Sequence, residues 1–444
     1  MEFTINTKMF IKYVTPAADI ALKNANKYHC CFGMIKITAY PKVLMIEAYG
    51  GTASITVKVR QSDGYKHGRT GEVCILAKEL IDTLKSLESF DDLLVCVKDG
   101  KLKLLPESDI YNYNKIQIQT NSVVLPESSE EYDHELTVDR EHFIKGLKQI
   151  QYAPASDERL FSYMCIVFES AGNSLKFTAG SGARFTAVEY IGNNKMLSSK
   201  DIKMIFPKTN ISNVLRIFEK NTSLMLKIKE SDGDITNNIH AQQVIESDNI
   251  IVRIYGAEYF TQYPNLSNIM SHNYTYQIPT KVQDWKYVAA AITASRHSLS
   301  EPLHNIKVMI DLQHGNLDVQ VNSLMSINRR VQFELETCIA DISNKKSYKP
   351  WFCCDANHIV EMVKKNKTQN TVIFNFEDQA KLDPIDADNP QKRKPVLLKF
   401  PNQLHKDGVT EKSFVLFSIS LKWDDKYLSI DHDGVVSRFE ILDL

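Results

Sequence analysis

The 444-residue sequence predicts an α+β protein built from one strand–helix–strands unit that recurs six times, two units to a domain. Three observations predict it. Six stretches carry an apolar stripe at helical spacing. The segments between them alternate apolar and polar residues, as half-buried strands do. The helical stretches begin near residues 8, 78, 139, 209, 281 and 357, a period of roughly 70 residues that points to internal repetition.

The first helix is read in "TKMFIKYVTPAADIALKNA", with Phe10 and Val14 turned inward. The second, "AKELIDTLKSL", places Leu80, Ile81, Leu84 and Leu87 on one face. The third, "DREHFIKGLKQI", aligns Phe143, Ile144, Leu147 and Ile150 behind Asp139, a short acceptor suited to cap a helix N-terminus. The fourth aligns Ile211, Val214, Leu215 and Phe218. The fifth aligns Val282, Trp285, Val288, Ala289 and Ile292, and the sixth Ile359, Val360 and Val363. Strand alternation is plain in "LKIKES", "VMIDLQ", "LDVQV", "VQFELE" and "NTVIFNF". Pairing the units gives domains at 1–134, 135–273 and 274–421. Residues 422–444 form an extension in which Asp433-Gly434, between two strand-like runs, predicts a hairpin. The stretch 377–395, rich in charge and proline, is read as a loop between two strands.

Composition narrows the function. A hydrophobic share of 43% and a charged share of 24% are ordinary for a globular chain. No run of 18 apolar residues is long enough to span a bilayer. The opening "MEFTINTKMF" lacks the apolar core of a secretory leader, so a cytoplasmic location without membrane association is expected. The eight cysteines form no C-x-x-C pair. They read as buried thiols in a reducing compartment, and "CCDANH" lacks a second ligand pair for zinc. Neither a metal site nor a cofactor is expected. His142 and His358 lie at helix starts, where surface or capping roles are common. With no Ser/His/Asp grouping, no Walker motif and no metal set, the chain is not expected to be an enzyme.

"GSGARFTAVEY", from Gly180 to Tyr190, looks at first like a phosphate loop. A phosphate loop is followed by a helix whose N-terminus faces the anion, whereas "ARFTAVEYI" reads as a strand. The glycines are therefore assigned to a tight turn inside a sheet, where they supply backbone freedom.

Charge is unevenly shared. The six helical segments together carry +8 and the remainder −9, within a whole-chain balance of −1. Only the second helix is not basic. Lys8, Lys12 and Lys23 share one side of the first helix, and Arg216 and Lys220 are an i,i+4 pair on the fourth. Any one such helix can be a solvated face. Five sharing a sign would, if they lie on one surface, attract a polyanion, with duplex DNA held through its phosphates and without sequence preference as the leading candidate. Lys145, Lys148, Lys286, Lys364 and Lys365 join this set.

These features together resemble the bacterial sliding clamp, the beta subunit of DNA polymerase III. "MEFTINTKMFIKYV" resembles the clamp's opening strand and helix. "LKFTAGSGARFTAVEY" resembles the family segment T-x-x-T-D-G-H-R-L-A, "DIKMIFPKTNISNVLRIF" the strand and helix that start with Pro-x-K/R, and "IYGAEYFTQYPNLSNIM" the family run G-x-F-P-D-Y. The likeness spans residues 1–421 in order. Departures fall at Ser181, Ala183 and Leu266, where the family has Asp, His and an aromatic residue.

The resemblance implies a DNA clamp fold and a head-to-tail homodimeric ring, with helices inside around duplex DNA and sheets outside. It implies no catalysis. The ring would be a processivity factor, and its partners would be the polymerase III catalytic subunit and a clamp loader, docking by short peptides in an apolar groove. Matching residue by residue, the groove would comprise Gly182, Arg184 and Phe185, then Pro264, Asn268 and Ile269, then Phe417, Ile419 and Leu421. Plain core packing is the competing reading for Phe185 and Ile269. Arg159 would face DNA near the pore. Ile116, Ile118 and Ile292 are the candidates for the subunit interface. The tail residues Leu442 and Leu444 have the spacing of a groove peptide, so self-occupation of the groove is a hypothesis beside the preferred reading, a hairpin bound on the outer face. A clamp-like module that binds replication proteins without encircling DNA is the alternative function.

Overall fold

The periodic stretches fold as helices where the spacing places them: α1 (Thr7–Leu22), α2 (Ala77–Ser86), α3 (Arg140–Ile150), α4 (Lys208–Phe218), α5 (Val282–Arg296) and α6 (Ala356–Lys365). The computed structural model describes residues 1–23, 31–106, 116–121, 125, 132–156, 163–181, 184–192, 202–219, 223–229, 242–255, 273–296, 305–312, 314–321, 327–334, 349–366, 369–378, 395–417, 429–430 and 436–438. Three helix starts use a short polar side chain to satisfy otherwise unpaired backbone N–H groups. Asn6 accepts from the Met9 N–H at 3.3 Å, Asp139 from His142 at 2.9 Å and Asp355 from Asn357 at 2.7 Å.

The chain packs as two compact units. The first comprises Met1–Gln151, Met164–Leu175 and Gly192–Gln262; the second comprises Tyr152–Tyr163, Lys176–Ile191 and Tyr263–Leu444. In the first unit an antiparallel sheet of eight strands runs in the order His134–Val138, Leu224–Ile228, Gln242–Ser247, Ile250–Tyr255, Ala53–Arg60, Val43–Tyr49, Met34–Ala39, Gly71–Leu76. Its central pairing sets Val252 opposite Ile55, so strands from the first two predicted domains belong to one sheet. A second sheet has the order Lys66–Arg69, Glu2–Asn6, Asp92–Lys98, Lys101–Pro106, Ile116–Gln119. The helices form a row in which α1 touches both α2 and α4, and α4 touches α3. The apolar stripes face inward. Phe10 on α1 meets Phe3 edge-on at 5.9 Å, and Phe143 on α3 packs against Phe168 at 5.5 Å and Phe206 at 5.8 Å.

In the second unit, the strands Arg184–Ile191, Thr410–Phe417, Val396–Lys399, Thr371–Phe376 and Tyr276–Lys281 lie in that order. A four-stranded sheet has the order Ile327–Gln332, Asn316–Val321, Asn305–Asp311, Trp351–Asp355. Helices α5 and α6 pack on each other, and their stripes share a core with Phe352 and Phe374. Trp285 stacks on Phe374 at 4.6 Å, and its indole N–H donates to Thr280 Oγ1 at 2.8 Å. In the C-terminal extension, Ser429–Ile430 pairs antiparallel with Val436–Arg438.

Burial corrects three expectations. Ile292 was placed at a subunit interface, but it is fully buried in the core of the second unit. Its position one turn beyond Val288 and Ala289 on the same stripe is the physical reason. Ile118 is also buried, so its side chain faces its own unit, although its strand ends the sheet order. Only the backbone of Ile116 is described. His142 and His358 are buried as well and so are not surface residues, although the His142 ring lies 2.8 Å from the capping carboxylate of Asp139.

The four-stranded sheet carries an ion network. Lys349 Nζ lies 2.8 Å from Asp311 and 3.0 Å from Asp318, while Arg330 Nε lies 3.2 Å from Asp318. Burial alone would raise the Asp311 pKa, but hydrogen bonds from Lys349 and His314 outweigh it and hold the carboxyl at about 2. A carboxyl depressed on folding stabilises the fold above its ordinary pKa, and that stability is lost as the pH falls through the folded value. The wild type is therefore expected to exceed Asp311→Asn in urea-denaturation midpoint by a constant margin above about pH 4. That margin should shrink below pH 4 and vanish once the pH has fallen through about 2. A margin independent of pH would contradict this assignment.

Candidate partner groove and basic helix row

The glycine-rich segment forms a turn between two strands, Ser174–Gly180 and Arg184–Ile191, and is not a phosphate loop. Ser181 N–H donates to the Arg184 carbonyl at 2.8 Å to close it. Gly180 is required here for space and does not adopt a positive φ: an added Cβ would lie 2.2 Å from the Phe185 ring and 2.8 Å from the Arg184 carbonyl oxygen. Gly182 lies outside the described residues.

Strand alternation then sorts the side chains. Arg184–Ile191 pairs with Thr410–Phe417, and Arg184 stands opposite Phe417. Phe185, Ala187, Phe414, Leu416, Leu397 and Tyr274 form an apolar cluster set apart from the main core, with Tyr163 packed on it. Phe185 meets Tyr163 edge-on at 5.6 Å and is 9% exposed. Arg184 and Phe185 of the first expected wall thus lie beside the strand that ends in Phe417, the first residue of the third. The Phe417 side chain, Pro264, Asn268, Ile269, Ile419 and Leu421 lie outside the described residues, as do Leu442 and Leu444 of the tail.

Arg184 is buried against groups that sequence reasoning did not supply. Its guanidinium is ion-paired with Glu361 on α6. It lies 5.2 Å from the Tyr152 ring centre and donates to the Tyr152 carbonyl at 3.4 Å. Burial pulls its pKa down, against the opposing influence of Tyr152 and Asp355. His358, also on α6, is neutral at pH 7: burial, reinforced by Arg184, brings its pKa to about 4 although Asp355 opposes the shift. Of the missed members Tyr163, Tyr274, Leu397, Phe414 and Leu416, the last two had a faint signal. "SFVLF" is apolar on both faces of its strand, as a strand between two apolar layers must be. Nothing local marks Glu361 as a partner for Arg184.

The expected DNA-facing cations divide into two kinds. Lys8, Lys12 and Lys23 on and just after α1, and Lys364 on α6, are exposed. Lys145 and Lys286 are half-buried, and Lys286 donates to Gln283 at 2.8 Å. Arg216 is paired with Asp19 at 2.9 Å and Lys148 with Glu219 at 2.6 Å. Arg159, Lys220 and the Lys365 side chain lie outside the described residues.

Chemically reactive arrangements are not evident in the described residues. Cys31, Cys74, Cys165, Cys353 and Cys354 are buried, and burial pushes the Cys165 thiol up to about 12. Cys353 and Cys354 are both buried because their strand is covered on both faces. Among the described residues no group of His, Cys, Asp or Glu could hold a metal ion, and no helix is long and apolar enough to cross a membrane.

The mixed α+β repeats and basic helices define a class, the sliding-clamp fold. Solved structures of DNA polymerase III beta subunits share it over nearly the whole chain. The beta subunit from Pseudomonas aeruginosa superimposes with a TM-score of 0.72 at 13% identity, covering 95% of this chain and 100% of that one. The sliding clamp from Caulobacter crescentus gives 0.71 at 13% identity, with 95% and 100% covered. The beta subunit from Streptococcus pyogenes gives 0.70 at 13% identity, again with 95% and 100% covered. No family model matches the sequence. No curated protein matches it either. The likeness is thus one of fold, at low sequence identity.

Proposed function

We propose that this chain is a DNA sliding clamp, a processivity factor that encircles duplex DNA and tethers a replicative polymerase. The observation that carries this reading is the end-to-end match of the fold to solved clamps, with 95% of this chain and all of the other covered. Three domains, 1–134, 135–273 and 274–421, would follow from two repeats each. Two copies joined head to tail would close a ring with the helices lining its hole. The strands Ile116–Gln119 and Ile327–Gln332, each the last in its sheet order among the described residues, are suited to pair between subunits. Topology would retain the ring on DNA, and cations over the phosphates would allow sliding.

The cluster at Phe185, with Arg184 at its border, would belong to the groove that takes peptides from the polymerase III catalytic subunit and the clamp loader. Residues 264–269 and 417–421 would complete it. The chain would work without cofactor or catalysis, in a reducing cytoplasm where its thiols stay free. Light scattering after size exclusion tests the ring. A two-chain particle that survives dilution is expected, and a monomer at micromolar concentration would contradict closure.

One observation favours a second reading, a clamp-like module that binds replication proteins without encircling DNA. Arg216 and Lys148 are already engaged by carboxylates, which weakens the positive field of the helix row.

A further inference from the structure

The helix row of the first unit carries its own counter-charges at two of the seams where neighbouring helices meet. At the α1–α4 seam, the Asp19 carboxylate lies 2.9 Å from Arg216 Nη2. The Asp19 side chain is 17% exposed and the Arg216 side chain 60%, so the acid sits below and the cation above. The Asp19 backbone carbonyl accepts from Asn213 Nδ2 on α4 at 3.5 Å. Burial raises the Asp19 pKa, while Arg216 and Lys85 of α2 favour its charged form. At the α4–α3 seam, the Glu219 carboxylate binds Lys148 Nζ at 2.6 Å, and the Glu219 carbonyl accepts from Arg140 of α3. Asp19 thus engages one cation of α4, Arg216, and Glu219 engages two cations of α3, Lys148 and Arg140.

We propose that Asp19 and Glu219 are attenuating residues of the DNA-facing surface, carboxylates that occupy Arg216 and Lys148 in competition with duplex phosphate and so keep the grip on DNA weak. The inference rests on the sliding-clamp reading. Its logic is electrostatic: a cation already matched with a carboxylate releases few counterions when a phosphate arrives, because it must first give up its partner. A ring held by topology gains nothing from tight binding, and each cation engaged internally lowers the barrier between successive positions on the duplex. The same acids also position the cations, since Arg216 and Lys148 are long, rotamer-rich side chains that would otherwise sample many directions.

The test uses the full chain, a short fluorescein-labelled duplex of mixed sequence and anisotropy titrations over a series of salt concentrations. Asp19→Asn and Glu219→Gln each remove one negative charge and keep the side-chain size. Glu169→Gln is the control: it removes the same charge from the same unit, but from a strand pair where Glu169 meets Lys203 at 3.3 Å. The expected result is binding several-fold tighter for both helix variants. Their plots of log K against log salt should be steeper by about 0.9 per freed cation, with the control's slope unchanged. Helix variants indistinguishable from the control would overturn the proposal. Because Glu219 is half exposed, Glu219→Gln reads the effect even if Asp19→Asn fails to fold. Should wild type, helix variants and control all show no salt-dependent binding, the DNA reading itself would fail, an outcome distinct from equal, salt-dependent binding by all.

Discussion

Trp285→Ala is expected to destabilise the protein by about 3–5 kcal/mol, read as a fall in the urea midpoint followed by circular dichroism. The indole is fully buried at the centre of the second unit's core, between α5 and the sheet strands. It stacks on Phe374 with a centroid separation of 4.6 Å and an interplanar angle of 25°. Phe374 in turn stacks on Phe352 at 6.2 Å, so truncation removes the first member of a three-ring series. A methyl group there leaves a cavity that close-packed neighbours cannot fill. The polar end matters separately. The indole N–H donates to Thr280 Oγ1, and that hydroxyl donates onward to the Val372 carbonyl at 3.3 Å. Trp285→Phe keeps much of the ring contact and loses only the donor and some volume, so a smaller loss of about 1–2 kcal/mol is expected. If alanine and phenylalanine cost the same, packing of the indole would not be the source of its contribution.

Glu361→Ala is the second large effect, expected at about 2–3 kcal/mol. Removing one member of a buried pair strands the other charge, which commonly costs about 3–5 kcal/mol. The lower figure applies because the Glu361 side chain is 38% exposed and solvent screens part of the interaction. Arg184 cannot escape into water easily, since its side chain is 10% exposed, and it would keep the Tyr152 ring and carbonyl as neutral partners. The double variant Arg184→Met with Glu361→Leu removes both charges and fills the volume, so it should recover most of the loss. A double-mutant cycle with no coupling between the two positions would show that the pair does not hold the strand at Arg184 against α6.

Helix content was legible because each stripe follows one 3.6-residue period, and every predicted stripe residue among Leu80, Phe143, Ile211, Trp285 and Ile359 is buried. The turn at Gly180 was legible as a turn, but its cause was misassigned: the reason is the Phe185 ring lying against it, a contact across the turn that no propensity reports. Ile292 was misplaced because an apolar residue near a helix end suits a core and an interface equally, and periodicity alone favours the core. The pairing of Arg184 with Glu361 was not legible, because nothing in a helix or strand pattern names a partner so far along the chain. The ion pairs of Arg216 and Lys148 were likewise hidden: net charge per helix counts cations and does not say which are already matched across a seam. In each case local periodicity was readable and the tertiary neighbour was not.

Encirclement of DNA by this chain is measured by topological retention. The protein is assembled on nicked circular duplex, passed through a gel-filtration column at moderate salt, and assayed again after a single restriction cut. A clamp remains with the circle and leaves once the DNA is linear, because its free ends let the ring slide off. Equal retention on circular and linear DNA, or none on either, would contradict encirclement and favour the interaction-module reading.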